Sequence, residues 1–319
     1  ELVRLVRFRR TRRTTTELVQ FPAAPAGNTT PPAMHDHPAN REVTVLITEI
    51  VDLDRYPLYR DQSLAGLAGD CAEAFAADGV VALPGFVRPE GVARMAEECD
   101  AAAPDGHHSE VTNTVYLGLP HEGVDPEDPR ARTVRSSLRA VAADCIPQTH
   151  ALRQLYEWAP LREFLRHVLG VNELHAYADP LGALNIADMT VEDELGWHFD
   201  QTDFVTSLSI RTAGVGGHFE VAAGLRTATD ENLTAVRSVL DGATDGVVQL
   251  RFDPGTLLIF AGRWSMHRVT PIEAGPSRLV GLLAFDTKPG TDSSELLKLV
   301  RYGRTAARDV PWVAATGGE

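Results

Sequence analysis

Between residues 173 and 286 the chain is cut into short apolar segments by turn residues, and this limits the possible folds more than any other feature. The segments read in order "ELHAYA", "ALNIADM", "LGWHFD", "FVTSLSI", "GHFEVA", "VVQLRF", "TLLIFAG", "HRVTPI" and "RLVGLLAF". Each is too short for a self-standing helix and is rich in β-branched and aromatic residues, so each reads as a strand. "VGG" and "DPG" supply backbone suited to turns between them. One helical stretch, "ENLTAVRSVLDG" (231–242), interrupts between "GHFEVA" and "VVQLRF".

With "ALNIADM" taken as the first strand, "RLVGLLAF" is the eighth. That number suits a double-stranded β-helix, the cupin-like jelly roll. The preceding region has helical spacing instead. "SLAGLAGDCAEAFAADG" (63–79) places Leu64, Leu67, Cys71 and Phe75 on one stripe, and "RPEGVARMAEECDAAA" (88–103) has Pro at an early helical position. Segments 132–145 and 151–170 read as two further helices, and "VVALPGF" between the first pair reads as a short strand and turn. The expected class is therefore α+β: a helical part over 60–170 buttressing a jelly-roll core over 173–290, with a last helix at 293–303, all within one domain spanning 34–319.

Residues 1–33 differ, with six Arg against two Glu and a Pro/Ala-rich second half, and they lack the periodicity of a folded element. They are expected to be a disordered extension ahead of Met34. The chain carries a net charge of −14, which argues against nucleic acid or an anionic membrane as the main partner. No apolar run is long enough to span a bilayer. Cys71, Cys99 and Cys145 are odd in number and widely spaced, as expected of thiols in a reducing cytoplasm rather than of a disulfide framework.

"GWHFDQTDF" (196–204) holds His198 and Asp200 one residue apart. On a strand, residues i and i+2 share a face, so an imidazole and a carboxylate stand side by side. Two His and one carboxylate commonly hold ferrous iron and leave positions open for a co-substrate and O2. A lone pair of this kind is weak evidence, and the chain has three: His108/Glu110, His198/Asp200 and His218/Glu220. The strand count separates them. His198 and Asp200 fall on the second strand and His267 opens the seventh, its neighbour in a two-sheet roll. Glu220, on the fourth strand, is expected to face the barrel or to support the ligands, with His218 on the same face. His108/Glu110 precedes the barrel and is expected at its mouth.

Arg278 follows His267 by eleven positions and opens the eighth strand. At a barrel floor, its guanidinium can clamp a carboxylate through two parallel hydrogen bonds. The natural candidate is the far carboxylate of 2-oxoglutarate, whose keto-acid end would chelate the iron. Asn185 on the first strand and Thr270 near the distal His are expected to assist. Glu110, Arg135, Asp203 and Tyr302 are expected near the mouth as contacts for a small-molecule substrate. Trp197 and Phe199, which flank His198, are expected to pack in the core.

The order His-x-Asp, distant His, then Arg resembles the Fe(II)/2-oxoglutarate-dependent oxygenases. "YADPLGALNIADM", "DELGWHFDQTDF", "GGHFEV", "FAGRWSMHRVTPIE" and "RLVGLLAFDTKPG" further resemble the branch of free-amino-acid radical halogenases and their hydroxylating relatives. The resemblance covers roughly residues 60–305. It implies Fe(II), 2-oxoglutarate and O2 as reactants and a free amino acid as substrate. In the halogenases of that branch a small residue replaces the acidic ligand, so that chloride can bind the iron. Asp200 stands at that position here, so the resemblance implies hydroxylation. A metal-binding cupin without turnover, or a desaturase or epimerase using the same iron chemistry, is the alternative.

Overall fold

The computed structural model describes residues 47–59 and 61–308, together with a backbone pairing of Arg4–Leu5 with Val19–Gln20. The extension expected over 1–33 otherwise lies outside the described residues. Helix α1 (Asp61–Asp78) leads into strand β1 (Val80–Leu83) and helix α2 (Pro89–Ala102). Strands β2 (His107–Thr114) and β3 (Thr133–Val141) follow, then helices α3 (Ala151–Glu157) and α4 (Ala159–Leu169). The core strands are β4 (Leu184–Met189), β5 (Leu195–His198), β6 (Val205–Arg211) and β7 (Phe219–Ala222). After α5 (Leu233–Leu240) come β8 (Val247–Leu250), β9 (Leu257–Phe260), β10 (Met266–Val269) and β11 (Arg278–Leu283), and α6 (Glu295–Tyr302) ends the fold.

The strands lie in the order β8-β7-β10-β5-β3-β4-β11-β6-β9-β1, with β2 paired to β3. The eight strands β4 to β11 thus form two antiparallel four-stranded halves, β4-β11-β6-β9 and β5-β10-β7-β8. Strand β3 pairs with both β4 and β5 and joins the halves. This is the jelly roll that the segment count implied. The first half is apolar on both faces, which explains runs such as "RLVGLLAF". Ile186, Leu208, Ile259 and Leu279 point outward into a core shared with Cys71, Met95, Leu155 and Phe164 of the helices. Ala187, Phe260 and Val280 point inward, into the roll, beside Phe219 and Val269 of the second half. Helix α3 comes so near β11 that a β-carbon at Gly281 would stand 2.6 Å from Leu152.

Two expectations change. Segment 132–145 is not a helix; most of it is β3. Its apolar residues satisfy a helical spacing, but the segment is sandwiched between β2, β4 and β5, and sheet pairing overrides the local preference. Segment 151–170 is two helices that part at Trp158, where the chain turns extended before Pro160 restarts the helix. "ELHAYA" contributes only His175–Ala176, paired with Phe285–Asp286. Among the described residues no helix is long and apolar enough to cross a membrane.

Candidate metal and co-substrate centre

Register brings the site together. His198, the last residue of β5, lies opposite His267 of β10, and the two rings sit 4.2 Å apart. Each imidazole donates its Nδ1–H to a backbone carbonyl, His198 to Gly196 at 2.7 Å and His267 to Ser265 at 2.9 Å. A carbonyl can only accept, so these bonds put a proton on each Nδ1, and in the neutral imidazole Nε2 is then the nitrogen with the lone pair. Burial, and then the neighbouring His267, push the His198 pKa down to about 4, so its imidazole is neutral at neutral pH.

Asp200 completes the set. Its Oδ2 is 3.3 Å from His267 Nε2, and its Oδ1 is 3.8 Å from His198 Nε2. One ligand atom from each of the three side chains falls within 4.8 Å of the others. The Asp200 amide donates to the Gly262 carbonyl at 3.1 Å. Position 262 has no room for a side chain, because a β-carbon there would overlap the Asp200 carboxylate. Asp200 Oδ2 is buried and accepts no hydrogen bond. Two imidazole nitrogens and one carboxylate oxygen without a donor suit a borderline divalent cation.

The three side chains open into a cavity of roughly 260 Å³ that Arg278 also lines. Arg278 is only 6% exposed. Its guanidinium touches Met189 Sδ at 3.8 Å and lies 5.9 Å from the Phe252 ring, and no carboxylate among the described residues pairs with it. Burial lowers its pKa to about 10, which leaves it charged at neutral pH. A buried, unpaired cation is costly, so a site that keeps one is built to receive an anion. Asn185 is buried on β4, and its Oδ1 has no hydrogen-bond partner. Alternation puts it on the same inward side as Ala187, though the cavity wall itself does not include it.

The remaining expected residues are placed elsewhere. The Thr270 hydroxyl accepts the His218 amide at 3.0 Å, so it is already engaged outside the cavity. Glu110 and Arg135 pair with each other at 3.0 and 3.1 Å, and Arg135 also reaches Glu194, so their charges are satisfied on the sheet surface. Asp203 is exposed and pairs with Arg263. Tyr302 is buried among apolar residues of the roll, and burial pushes its phenol up to about 12. None of these four lines the cavity. Glu220 does not face the barrel. It pairs outside with Arg268 at 2.7 Å, and Arg268 lies over the Trp197 ring. His108, expected at the mouth, does not line the cavity, and its Nε2 bonds Asp193 Oδ1 at 2.8 Å. Trp197 and Phe199 pack in a small core with Val115 and Met266.

The cavity wall instead includes Thr206, whose Oγ1 is buried and unpaired, together with Tyr177 and Arg301. Burial, rather than spacing, is what places Arg301 at the cavity. Helix α6 has Leu296, Leu297, Leu299 and Val300 exposed and Lys298 and Tyr302 buried, so its polar stripe is the one that faces the protein.

A search of curated proteins found no match. Solved structures gave partial overlaps. A 2OG-Fe(II) oxygenase family oxidoreductase from Burkholderia pseudomallei shares 17% identity over 70% of this chain and 92% of its own, with a TM-score of 0.44. The carbocyclase SnoK of nogalamycin biosynthesis shares 13% over 77% and 96%, with a TM-score of 0.49. EctD from S. alaskensis, solved with 2-oxoglutarate and 5-hydroxyectoine, shares 18% over 67% and 74%, with a TM-score of 0.45. A family model, that of Halogenase D, matches residues 66–296, well over half of the chain. The chain belongs to the Halogenase D family.

Proposed function

We propose that the chain is an Fe(II)/2-oxoglutarate-dependent oxygenase that hydroxylates an unactivated C–H bond of a small polar substrate, for which the sequence resemblance suggests a free amino acid. The observation that carries this reading is the buried, unpaired Arg278 guanidinium in the same cavity as His198, Asp200 and His267. A plain metal-binding cupin has no use for such a cation. A keto acid that chelates the metal through one end and carries a carboxylate at the other accounts for both features.

In this reading His198 Nε2, His267 Nε2 and an Asp200 oxygen hold the iron, and Arg278 holds the distal carboxylate of 2-oxoglutarate. Iron bound there supplies O2 activation coupled to oxidative decarboxylation of the keto acid and, through it, cleavage of a C–H bond. The chain itself orients the reactants and keeps water out. The Gly196 and Ser265 carbonyls fix both imidazoles, and Gly262 leaves room for the Asp200 carboxylate. Phe219, Phe252 and Phe260 form apolar walls between the metal ligands and the guanidinium. The presence of Asp200 supports hydroxylation over halogenation within a family named for halogenases, because its carboxylate takes the position where a halide would bind.

The test is anaerobic addition of Fe(II) and 2-oxoglutarate. A weak visible charge-transfer band is expected, and iron binding without that band would refute the co-substrate assignment. Under air, a panel of candidate substrates read by mass should show gain of one oxygen atom. Gain of chlorine in chloride buffer would overturn the role given to Asp200.

A further inference from the structure

Strands β5 and β10 are out of step at the candidate metal ligands. Leu195 of β5 lies opposite Val269 of β10, and His198 lies opposite His267. Strand β10 crosses that interval in two residues and β5 in three. Strand β5 therefore carries one extra residue at Gly196–Trp197, a β-bulge. The cavity wall shows the effect. Leu195 and His198 both line it, although residues three apart on a regular strand point to opposite faces. Without the extra residue Trp197 would lie opposite His267, and His198 would turn away from the cavity. The bulge aims His198.

Strand β3 holds the bulge from the other side. Its backbone ladder with β5 is a single step, Ser136 opposite Leu195, next to which the Ser137 amide donates to the Glu194 carbonyl at 2.7 Å. One residue further on, the displaced Gly196 amide donates to the Ser136 side-chain oxygen at 3.1 Å. A hydroxyl takes the place of a ladder carbonyl there. Gly196 fits against β3 only because it has no side chain. A β-carbon would stand 2.6 Å from the Val134 β-carbon and 2.7 Å from the Arg135 carbonyl oxygen. Trp197 is held separately, in the small core with Val115 and Met266 and under the Arg268 guanidinium.

The Gly196 carbonyl then accepts the His198 Nδ1–H at 2.7 Å. The contacts run from the Ser136 hydroxyl through the Gly196 backbone to the imidazole, and they set which way the ring turns. His267 is set differently, by the Ser265 carbonyl at 2.9 Å, and draws on neither Ser136 nor the bulge. Resting on the metal-site part of the reading above, we infer that Ser136 is a positioning residue for His198. Its hydroxyl pins the bulge, and the pinned bulge presents the imidazole Nε2 to the metal. Strand β3, which is outside the eight strands of the roll, thereby contributes to the metal centre.

The test titrates Zn(II), a diamagnetic stand-in for Fe(II), into the full chain against a chelating dye. Ser136→Ala is expected to weaken Zn(II) binding roughly 10-fold or more, the scale on which groups that orient metal-bound imidazoles are felt. Ser136→Thr keeps the hydroxyl and should recover much of the affinity. Ser137→Ala removes the neighbouring hydroxyl from the opposite face of β3 and should bind Zn(II) as the wild-type chain does. Proton NMR of the Zn(II)-loaded chain reads positioning directly. Both imidazole Nδ1–H protons are expected as protected signals in the wild-type chain, and Ser136→Ala should lose that of His198 while keeping that of His267. Wild-type affinity in Ser136→Ala overturns the inference, as does survival of both signals or loss of both. Equal weakening by Ser137→Ala, or no better binding by Ser136→Thr than by Ser136→Ala, overturns it as well. Asp200→Ala separates the two layers. If it binds Zn(II) as the wild-type chain does, the metal assignment itself fails; if it loses Zn(II) while Ser136→Ala keeps it, only the role of Ser136 fails.

Discussion

The roll carries nearly the same local sequence twice, with opposite outcomes. "HFD" at 198–200 and "HFE" at 218–220 each place a carboxylate two positions after an imidazole, at the end of β5 and the start of β7, the two strands that flank β10. His198 lies opposite His267 and so points into the roll. On the other side of β10, Val221 is the residue opposite His267, while Glu220 lies opposite Arg268. The shift of one position turns His218 and Glu220 outward, where Glu220 finds a guanidinium and His218 meets Gln249. Inside, among the described residues, Asp200 Oδ2 accepts no hydrogen bond and Arg278 pairs with no carboxylate; outside, Glu220 is matched by Arg268. Spacing along one strand therefore marks a candidate pair, and register to the neighbouring strand decides whether it faces a site or the solvent.

That contrast can be broken by experiment. The largest effect is expected from Asp200→Ala, which should reduce turnover by more than the roughly 10–100-fold typical of residues that only support metal ligands. Glu220→Ala should leave iron content and turnover near wild type, and loss of iron from it alone would reverse the assignment. Arg278→Met should weaken 2-oxoglutarate binding roughly 30-fold or more. The same substitution should raise the melting temperature of the ligand-free chain, because it removes an uncompensated buried charge worth about 1–3 kcal/mol. A lower melting temperature would mean that Arg278 has a structural partner.

Gly262→Ala is a finer probe. The added methyl group must displace the Asp200 carboxylate, so iron affinity is expected to fall roughly 10- to 100-fold with circular dichroism unchanged. The stability change in Glu220→Ala should be smallest, within about 0.5 kcal/mol, because its pair with Arg268 is partly solvated. A pH series probes the support of the C-terminal region. Burial raises the Asp144 carboxyl, but the Arg304 pair and the Arg308 amide outweigh it and hold the pKa below the ordinary value. A depressed carboxylate pKa stabilises the fold above the unfolded value and loses that contribution as pH falls through the folded one. Amides near residue 304 should therefore lose protection, relative to their intrinsic exchange rates, below about pH 4, where an unfolded Asp takes up its proton, and Asp144→Asn should remove that pH dependence.

Much of the roll was legible because its strands are short, alternating and separated by turn residues. Strand β3 was not, since Val134, Leu138 and Val141 satisfy a helical repeat and only the flanking strands reveal the pleat. Among the expected site residues, those on inward-facing strand positions meet around the cavity or just behind it. Those chosen from loops and polar surface segments, Glu110, Arg135 and Asp203, already have partners that lie far off in sequence, such as Glu194 and Arg263. Arg301 and Thr206 were overlooked because a lone arginine at a helix end, or a threonine within a strand, has no distinctive spacing.

By itself the sequence determined the number and order of the core strands, the candidate residues on them and the position of Arg278 after His267. Those properties follow from periodicity and turn chemistry, which act over a few residues. Only the tertiary structure decided which of two near-identical tripeptides faces the cavity, which charges remain unpaired, and that the last helix turns its polar stripe inward. Those outcomes depend on partners distant in the chain, because the electrostatic state of a side chain is set by what surrounds it after folding.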